Sequence, residues 1–312
     1  VYTCGEGKRG ALGHGTTQDR GLPSRVQDLS EERIAEVAAG ARHACALTFS
    51  GNLYSWGAGT HGRLGLGDES DRHSPQLQTE DDVHDGCVSR VICGYFHTVV
   101  LLDNGSLVTF GSGQRGQLGH AVFEDELIPR HVEHLVRERL VVVACGAWHT
   151  LALTESGDVY AWGCGRHGQL AGEDMSDSCV PSLVSHLHGA RISHVAAGGA
   201  FSAAVTDDGA VYTWGSGNHG QLARVTGLAD PTPRCVEGLK PVEALCVGPV
   251  SAVCLCARPS SHRTKSGDRP PSRPLADLNS PVSPHTPVGL ERTESVSEEL
   301  EINMILFPEH YN

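Results

Sequence analysis

One glycine-rich motif recurs five times along the chain, and this repeat constrains the fold more than any other feature. A clear copy is VYAWGCGRHGQLAGE, which runs from Val159 to Glu173. Successive copies are 52, 54, 52 and 52 residues apart, counted between their first glycines. A regular period of this length indicates a repeat protein in which each unit supplies the same supersecondary structure. The first glycines are Gly5, Gly57, Gly111, Gly163 and Gly215.

A second motif precedes four of these copies and predicts a β-hairpin. Its version before the fourth copy is VACGAWHTLALTESG, which ends at Gly157. In these units a short apolar, β-prone run leads into a Ser-Gly, Asn-Gly or Asp-Gly turn and then into the VYxWG strand. Weaker strands follow around SPQLQ, IPRHVEHL, VPSLVSHL and PTPRCVEGL. About four strands per unit predict an all-β fold, a β-propeller over residues 1–256.

The stretch Gly163–Gly168 (GCGRHG) also matches the G-x-G-x-x-G pattern of dinucleotide-binding loops. That fold alternates parallel strands with amphipathic helices, and no helical pattern lies between the copies. Turns explain five copies in strand-rich units, since glycine permits a positive φ and a close approach of two backbones. We therefore predict no cofactor. The leucine after each motif is predicted to fill a blade core: Leu12, Leu64, Leu118, Leu170 and Leu222.

Charge and cysteine content limit the class of partner and the compartment. The formal net charge is −13, and an acidic chain is a poor general binder of nucleic acid because phosphate contacts need clustered lysine and arginine. The 11 cysteines are scattered without a CxxC pair, which favours reduced thiols in the cytoplasm or nucleus. No apolar run of about 18 residues is present, so we expect no transmembrane segment.

The paired motifs AxGxxHxxALTxxGxVYxWG and GxGxxGQLG resemble those of the regulator-of-chromosome-condensation family. The resemblance covers residues 1 to about 256 and implies a β-propeller of RCC-type blades. Family members are usually seven-bladed, and the five visible units lead us to expect that N-terminal blades are missing. The founding member is an exchange factor for the small GTPase Ran and docks on nucleosomes, whereas many relatives are interaction modules.

The resemblance places the GxxH loops, which lead into the second strand of each hairpin, on the face that contacts the GTPase. The matching histidines are His43, His97 and His149, and we assign Ser202 to this position in the fourth unit. These histidines are predicted to contact a partner or to bond the backbone of their own blade. We expect no metal site, since equivalent positions in different blades are too far apart to share an ion.

Aromatic residues stand just before these positions. Tyr95, Phe96, Trp148 and Phe201 are predicted to form an exposed patch that anchors a partner protein, with packing between blades as the alternative. In the exchange factor this loop carries acidic residues, and here it carries none. The family also includes a plant ultraviolet-B photoreceptor that uses clustered tryptophans, but three of the four tryptophans here occupy the VYxWG position.

Basic residues in the glycine-rich loops form a second candidate surface. They are predicted to make a basic arc that meets an acidic tail, an anionic lipid or chromatin, with ordinary solvated turn residues as the alternative. The arc consists of Lys8, Arg9, Arg63, Arg115 and Arg166.

Residues 257–312 are rich in proline, serine and charge, which predicts a disordered tail. Within it, Arg269–Pro274 (RPPSRP) is predicted to bind an SH3-type domain. Ser280, Ser283 and Thr286 each precede proline and are predicted phosphorylation sites.

No catalytic constellation stands apart from the repeat. We therefore expect a non-enzymatic scaffold that presents rigid loops to a partner protein. Two alternatives are guanine nucleotide exchange on a small GTPase, and docking on chromatin or a membrane through the basic arc.

Overall fold

The computed structural model describes residues 1–78, 86–224, 227–239 and 241–256. These residues form twenty β-strands joined by loops and short 3₁₀ turns, with no α-helix among them, and hence no helix able to cross a membrane. Most strands belong to four-stranded sheets, in each of which neighbouring strands pair antiparallel and follow chain order. The prediction of an all-β fold with propeller blades is confirmed.

Four complete blades make up most of the described chain. The first has strands β3 (Ile34–Ala39), β4 (His43–Thr48), β5 (Leu53–Gly57) and β6 (Arg72–Leu77). The second has β7 (Val88–Cys93), β8 (His97–Leu102), β9 (Leu107–Gly111) and β10 (Glu126–His131). The third has β11 (Leu140–Cys145), β12 (His149–Thr154), β13 (Val159–Gly163) and β14 (Ser178–Leu183). The fourth has β15 (Ile192–Ala197), β16 (Phe201–Thr206), β17 (Val211–Gly215) and β18 (Asp230–Cys235).

A two-stranded sheet precedes these blades and another follows them. The first pairs β1 (Tyr2–Gly5) with β2 (Arg20–Arg25), and the last pairs β19 (Val242–Val247) with β20 (Ala252–Cys256). By sequence motif, β1 and β2 correspond to the third and fourth strands of a blade, whereas β19 and β20 correspond to the first and second. The glycine-rich motif therefore starts with the third strand of a blade, not with the first.

Neighbouring blades stack through their inner strands. The first strand of one blade packs against the first and second strands of the blade before it, as β7 does on β3 and β4. Because β8 and β12 are covered on both sides, all of their residues are buried. This explains why their sequences, HTVVLL and HTLALT, are mostly apolar and do not alternate with polar residues.

In three of the four complete blades, the tryptophan of the VYxWG strand bonds the blade to the preceding one, and Phe110 takes its place in the second blade. Trp162 is fully buried, and its indole Nε1 donates a hydrogen bond of 2.9 Å to the backbone oxygen of Gln117 in the preceding loop. Trp56 and Trp214 make the same bond to Ala11 and Gln169. The predicted core leucines lie beneath these loops, four of them at most 6% exposed and Leu170 partly buried.

The glycines of the motif shape a tight turn. Gly163 and Gly168 have φ values of 108° and 79°, in the left-handed region that favours glycine. Gly165 has a different reason, since a Cβ there would lie 1.8 Å from the backbone oxygen of Ser176. The motif that resembles a dinucleotide-binding loop is therefore a turn between two antiparallel strands.

Candidate partner-binding face

The glycine-rich loops and the loops before the second strands surround one central depression of about 1270 Å³. Its described lining draws on all six sheets, from the loop at Glu6 to the loop at Val250. Equivalent loops of different sheets contribute to the lining, so the side chains that differ between these loops decide what the depression can bind.

The three predicted histidines are not part of its surface. His97 and His149 are fully buried, and His43 is 2% exposed. Each imidazole Nε2 lies close to a hydroxyl of the next blade: that of His43 is 2.9 Å from Thr98, that of His97 is 3.1 Å from Thr150, and that of His149 is 3.0 Å from Ser202. The prediction that they contact a partner or their own blade's backbone is therefore wrong, because they join adjacent blades.

The hydroxyl in each pair fixes which imidazole nitrogen carries the proton. The Thr150 hydroxyl donates to the backbone oxygen of Gln117 at 2.9 Å, so it accepts from Nε2 of His97. The Nδ1 of His97 is then an unprotonated nitrogen, buried without a hydrogen-bond partner. Burial lowers the pKa of His97 and of His149 to about 3, and repulsion from Arg63 also lowers the pKa of His97. These histidines are neutral at physiological pH.

The fourth blade shows that one sequence assignment was shifted by a residue. Phe201, not Ser202, pairs with Gly215, as His149 pairs with Gly163. Phe201 is fully buried in the position that histidine occupies in the other blades, so it does not belong to the aromatic patch. The spacing within the motif would have given this register, since Phe201 lies three residues after Gly198, as His149 does after Gly146.

The other three aromatic residues do come together at the depression. Phe96 and Trp148, from adjacent blades, stack with ring centroids 4.3 Å apart and an interplanar angle of 28°. The ring of Tyr95 meets Phe96 edge-on at 6.3 Å, and His61 does so at 6.2 Å. All three predicted residues are half-buried and line the depression.

Arg63 was predicted on an exposed arc, and the structure corrects this. The residue is only 2% exposed and takes the place of the glutamine found at Gln117 and Gln169 in later blades. Its Cζ lies 4.7 Å from the centroid of the Phe96 ring. Burial, followed by repulsion from Arg9 and Arg42, lowers the pKa of Arg63 to about 10. Arg63 is thus a buried cation at the wall of the depression.

Its hydrogen bonds hold the guanidinium in place. Nε donates to the backbone oxygen of Thr60 at 2.9 Å, and one terminal nitrogen donates to the hydroxyl of the same residue at 2.7 Å. The other terminal nitrogen donates to the backbone oxygen of Tyr95 at 3.2 Å. All three acceptors are uncharged, so none of them neutralises the cation.

Two other arc residues form ion pairs with the next blade, and we call such a contact between blades a latch. Arg9 pairs with Asp71 at 3.3 Å and Arg115 with Asp177 at 3.2 Å, in each case an aspartate of the next blade. His61 stands at the same motif position and contacts Asp125 at 2.7 Å. The arc is therefore not a continuous row of unpaired cations.

The remaining arc residues, Lys8 and Arg166, are exposed, and Arg166 lies 3.5 Å from Asp177.

Side-chain atoms of His61, Glu69 and Asp125 lie within 4.8 Å of one another, the one described group of three that could offer ligands to a metal. His61 and Asp125 are already bonded in the latch.

The tail predictions at Arg269–Pro274, Ser280, Ser283 and Thr286 fall outside the described residues.

The fold and this face together define a β-propeller repeat module whose loops converge on a central depression. The sequence profile of the RCC1-like domain matches residues 1–257. The chain therefore belongs to the RCC1-like family, as the paired motifs indicated.

Relatives and solved structures agree with this assignment. The chain is 37% identical over 239 residues to the Arabidopsis thaliana ultraviolet-B receptor UVR8, an alignment that covers 77% of the chain and 54% of the receptor. It is 38% identical over 242 residues to the human E3 ubiquitin-protein ligase HERC2, covering 77% of the chain and 5% of the ligase. The chain thus spans about half of the receptor and a small part of the ligase.

Two solved structures share the fold at lower identity. Human WBSCR16 matches with a TM-score of 0.74 and 23% identity, over 83% of this chain and 67% of that one. Yeast RCC1 (Prp20), solved with Kap60, matches with a TM-score of 0.70 and 21% identity, over 79% of this chain and 60% of that one.

Proposed function

We propose that this chain is a protein-interaction module that binds a partner protein through the loops around the central depression. The observation that carries the proposal is the half-buried Phe96–Trp148 stack beside the Arg63 guanidinium. Tryptophan, tyrosine and arginine are the residues that most often dominate binding energy at protein interfaces. Here they lie together, and the hydrogen bonds of Arg63 and the ring stack hold them in place, which reduces the entropy lost on binding.

A non-enzymatic role fits the chemistry of the buried histidines and of the thiol at the depression. The buried histidines that flank it are neutral and already bonded to hydroxyl groups. Cys164 is the thiol among the described lining residues, and burial raises its pKa, which keeps it protonated and a poor nucleophile. Neither group is poised for general base or nucleophilic catalysis.

The relatives support an interaction role because they share the propeller and differ in what they do. One is named a receptor, another is named a ubiquitin ligase, and yeast RCC1 was solved bound to Kap60. A common scaffold with different activities is expected when the fold presents loops and the loops select the partner. We place the action of this chain in the cytoplasm or nucleus, in keeping with its scattered cysteines.

Partner recovery by variants of the full chain tests the proposal. Proteins retained by the tagged wild-type chain are compared with those retained by Phe96→Ala and Trp148→Ala. Phe49→Ala is the matched control, since Phe49 is 71% exposed and also lies beside an arginine, but outside the depression. We expect specific partners to be lost from the first two variants alone, while each variant keeps a cooperative thermal transition that shows it is folded. Partners that survive both substitutions would contradict the proposal.

Guanine nucleotide exchange is the second candidate, and it follows from the resemblance to the family's founding member. The release of labelled GDP from a panel of small GTPases tests it directly. Accelerated release would replace the non-enzymatic proposal. Docking on chromatin or a membrane has less support, because Arg9 and Arg115 are already paired with aspartates.

A further inference from the structure

We infer that the central depression binds an acidic peptide segment of the partner protein. In this assignment Arg63 and Arg42 attract the carboxylates, and the Phe96–Trp148 stack contacts the apolar parts of the peptide. The inference rests on the proposed function and adds the chemistry of the partner. Three observations carry it: the charge of the lining, the incomplete pairing of Arg63, and the unequal size of the loop side chains.

The lining is positive in a chain that is strongly negative overall. The whole chain has a formal net charge of −13. The described lining nevertheless contains four lysine or arginine residues and a single carboxylate, that of Glu6. Positive charge concentrated in a concave site creates a local field that attracts anions in spite of the overall charge. The four cationic residues are Lys8, Arg9, Arg42 and Arg63.

Arg63 lacks a directly paired carboxylate: Asp71 and Asp125 attract it only from beyond ion-pair distance, and they already contact Arg9 and His61. A guanidinium has five N–H groups. Three of those on Arg63 donate to Thr60 and Tyr95, so two have no hydrogen-bond acceptor among the described residues. No described carboxylate lies within ion-pair distance of Arg63, whereas the largely buried Arg224 pairs with Asp230 at 3.7 Å. An incoming carboxylate would supply the missing charge.

Arg42 is a second cation of the same lining. It is exposed, makes no ion pair with a described residue, and lowers the pKa of Arg63 by repulsion. Arg9 also repels Arg63, although it is itself paired with Asp71. An anion that binds between these cations reduces their mutual repulsion and also attracts each of them. Binding is therefore favoured by more than one contact.

The loop side chains leave room for a peptide on one side of the depression. The position held by Arg42, Phe96 and Trp148 in three blades is occupied by Ala200 and Val250 in the next two. The depression is thus walled by aromatic rings on one side and by small residues on the other. Its volume of about 1270 Å³ exceeds the usual range for small-molecule sites and suits several residues of a peptide. Nucleic acid is the other polyanion that a positive lining attracts, and the experiment below separates it from an acidic peptide.

The anisotropy of a fluorescein-labelled peptide of alternating Asp and Glu with one central Leu tests the inference on the full chain. Arg63→Gln is a conservative variant, because glutamine stands at this position in three other motifs, at Gln117, Gln169 and Gln221. Arg33→Gln is the matched control, since Arg33 also lies over a phenylalanine ring, 5.4 Å from the centroid of Phe49, outside the depression.

We expect saturable binding that weakens as salt is raised, since Lys8 and Arg42 in the lining are exposed. Arg63→Gln and Arg42→Gln should each weaken binding about tenfold or more, and Arg33→Gln less than about twofold. Full affinity in Arg63→Gln, or equal binding of an Asn/Gln peptide of the same length, would overturn the inference. So would tighter binding of single-stranded DNA at the same arginines. If partner capture requires Trp148 but the acidic peptide does not bind, the proposed function stands and this inference alone fails.

Discussion

At the scale of single residues, the contact between adjacent blades uses two alternative pairs of side chains. In three interfaces a histidine faces a hydroxyl, as His149 faces Ser202. In the fourth interface Phe201 takes the histidine position, and the hydroxyl position of the next sheet holds Ala252. Polar is matched with polar and apolar with apolar, so neither version leaves a buried hydroxyl facing a hydrocarbon ring.

A double-mutant cycle at His149 and Ser202 tests this pairing. His149→Phe and Ser202→Ala should each destabilise the fold, whereas the double variant reproduces the apolar pair of the next interface. We expect a coupling of about 0.5–1.5 kcal/mol in the free energy of unfolding, measured by urea denaturation. Strictly additive losses would show that the two side chains do not interact.

The same histidines should make the fold sensitive to acid. Folding lowers the pKa of His97 and of His149 from 6.5 to about 3, so the unfolded chain binds more protons between these values. The free energy of unfolding should therefore be highest above about pH 6.5 and fall as the pH decreases, by up to about 1.4 kcal/mol per pH unit for each histidine.

Urea midpoints at pH 7 and pH 5 measure this dependence. The control is the variant with both His97→Phe and His149→Phe, which should be less stable at pH 7 but lose less stability on acidification. Titrating carboxylates affect both proteins alike and cancel in the comparison. An equal loss in the two proteins would mean that the histidines do not carry the effect.

At the scale of elements, the glycine-rich turn follows the third strand of a blade and lies against the backbone that leads into the fourth strand of the same blade. Gly165 shows the constraint, since its Cα lies against the backbone of Ser176 and leaves no space for a side chain. The backbone N–H of Gly165 also donates to Asp177 at 3.1 Å, and Asp177 accepts the latch from Arg115 of the preceding blade. The turn thus bonds to Asp177 of its own blade, and Asp177 in turn pairs with Arg115 of the preceding blade.

Gly165→Ala should therefore destabilise the protein by about 1–3 kcal/mol, because backbone atoms must move to admit the methyl group. Gly21→Ala is the control, since no atom lies within 4 Å of the added Cβ and the φ angle at Gly21 is not positive. Thermal unfolding of both variants checks the prediction. A Gly165→Ala protein as stable as Gly21→Ala would contradict the assigned role of the turn.

The local elements could be predicted from the sequence because their signals are local. Apolar runs, Ser-Gly turns and the spacing of the glycines gave the strands, the period and the blade architecture. The latches could not be predicted, since Arg115 and Asp177 are 62 residues apart and meet only when two blades stack. The burial of Arg63 was missed for the same reason, because the ring that covers it belongs to another blade.

At the scale of the whole molecule, equivalent loops from successive blades become one surface. Repetition explains the scaffold, and departures from repetition explain the candidate site: Arg63 in place of glutamine, and Phe96 and Trp148 where later units have Ala200 and Val250. The sequence identified Tyr95, Phe96 and Trp148 as candidates. It did not show that Phe96 stacks on Trp148 and lies against a buried arginine, which depends on the arrangement of three blades.

Site-specific photocrosslinking tests the central claim, that partners bind at the depression, most directly. A benzophenone amino acid is placed at position 148, or at position 49 as the exposed control outside the depression. The account predicts partner adducts from position 148 that are saturable and reduced by excess acidic peptide, with none from position 49. Adducts from position 49 alone, or equal adducts from both positions, would contradict it.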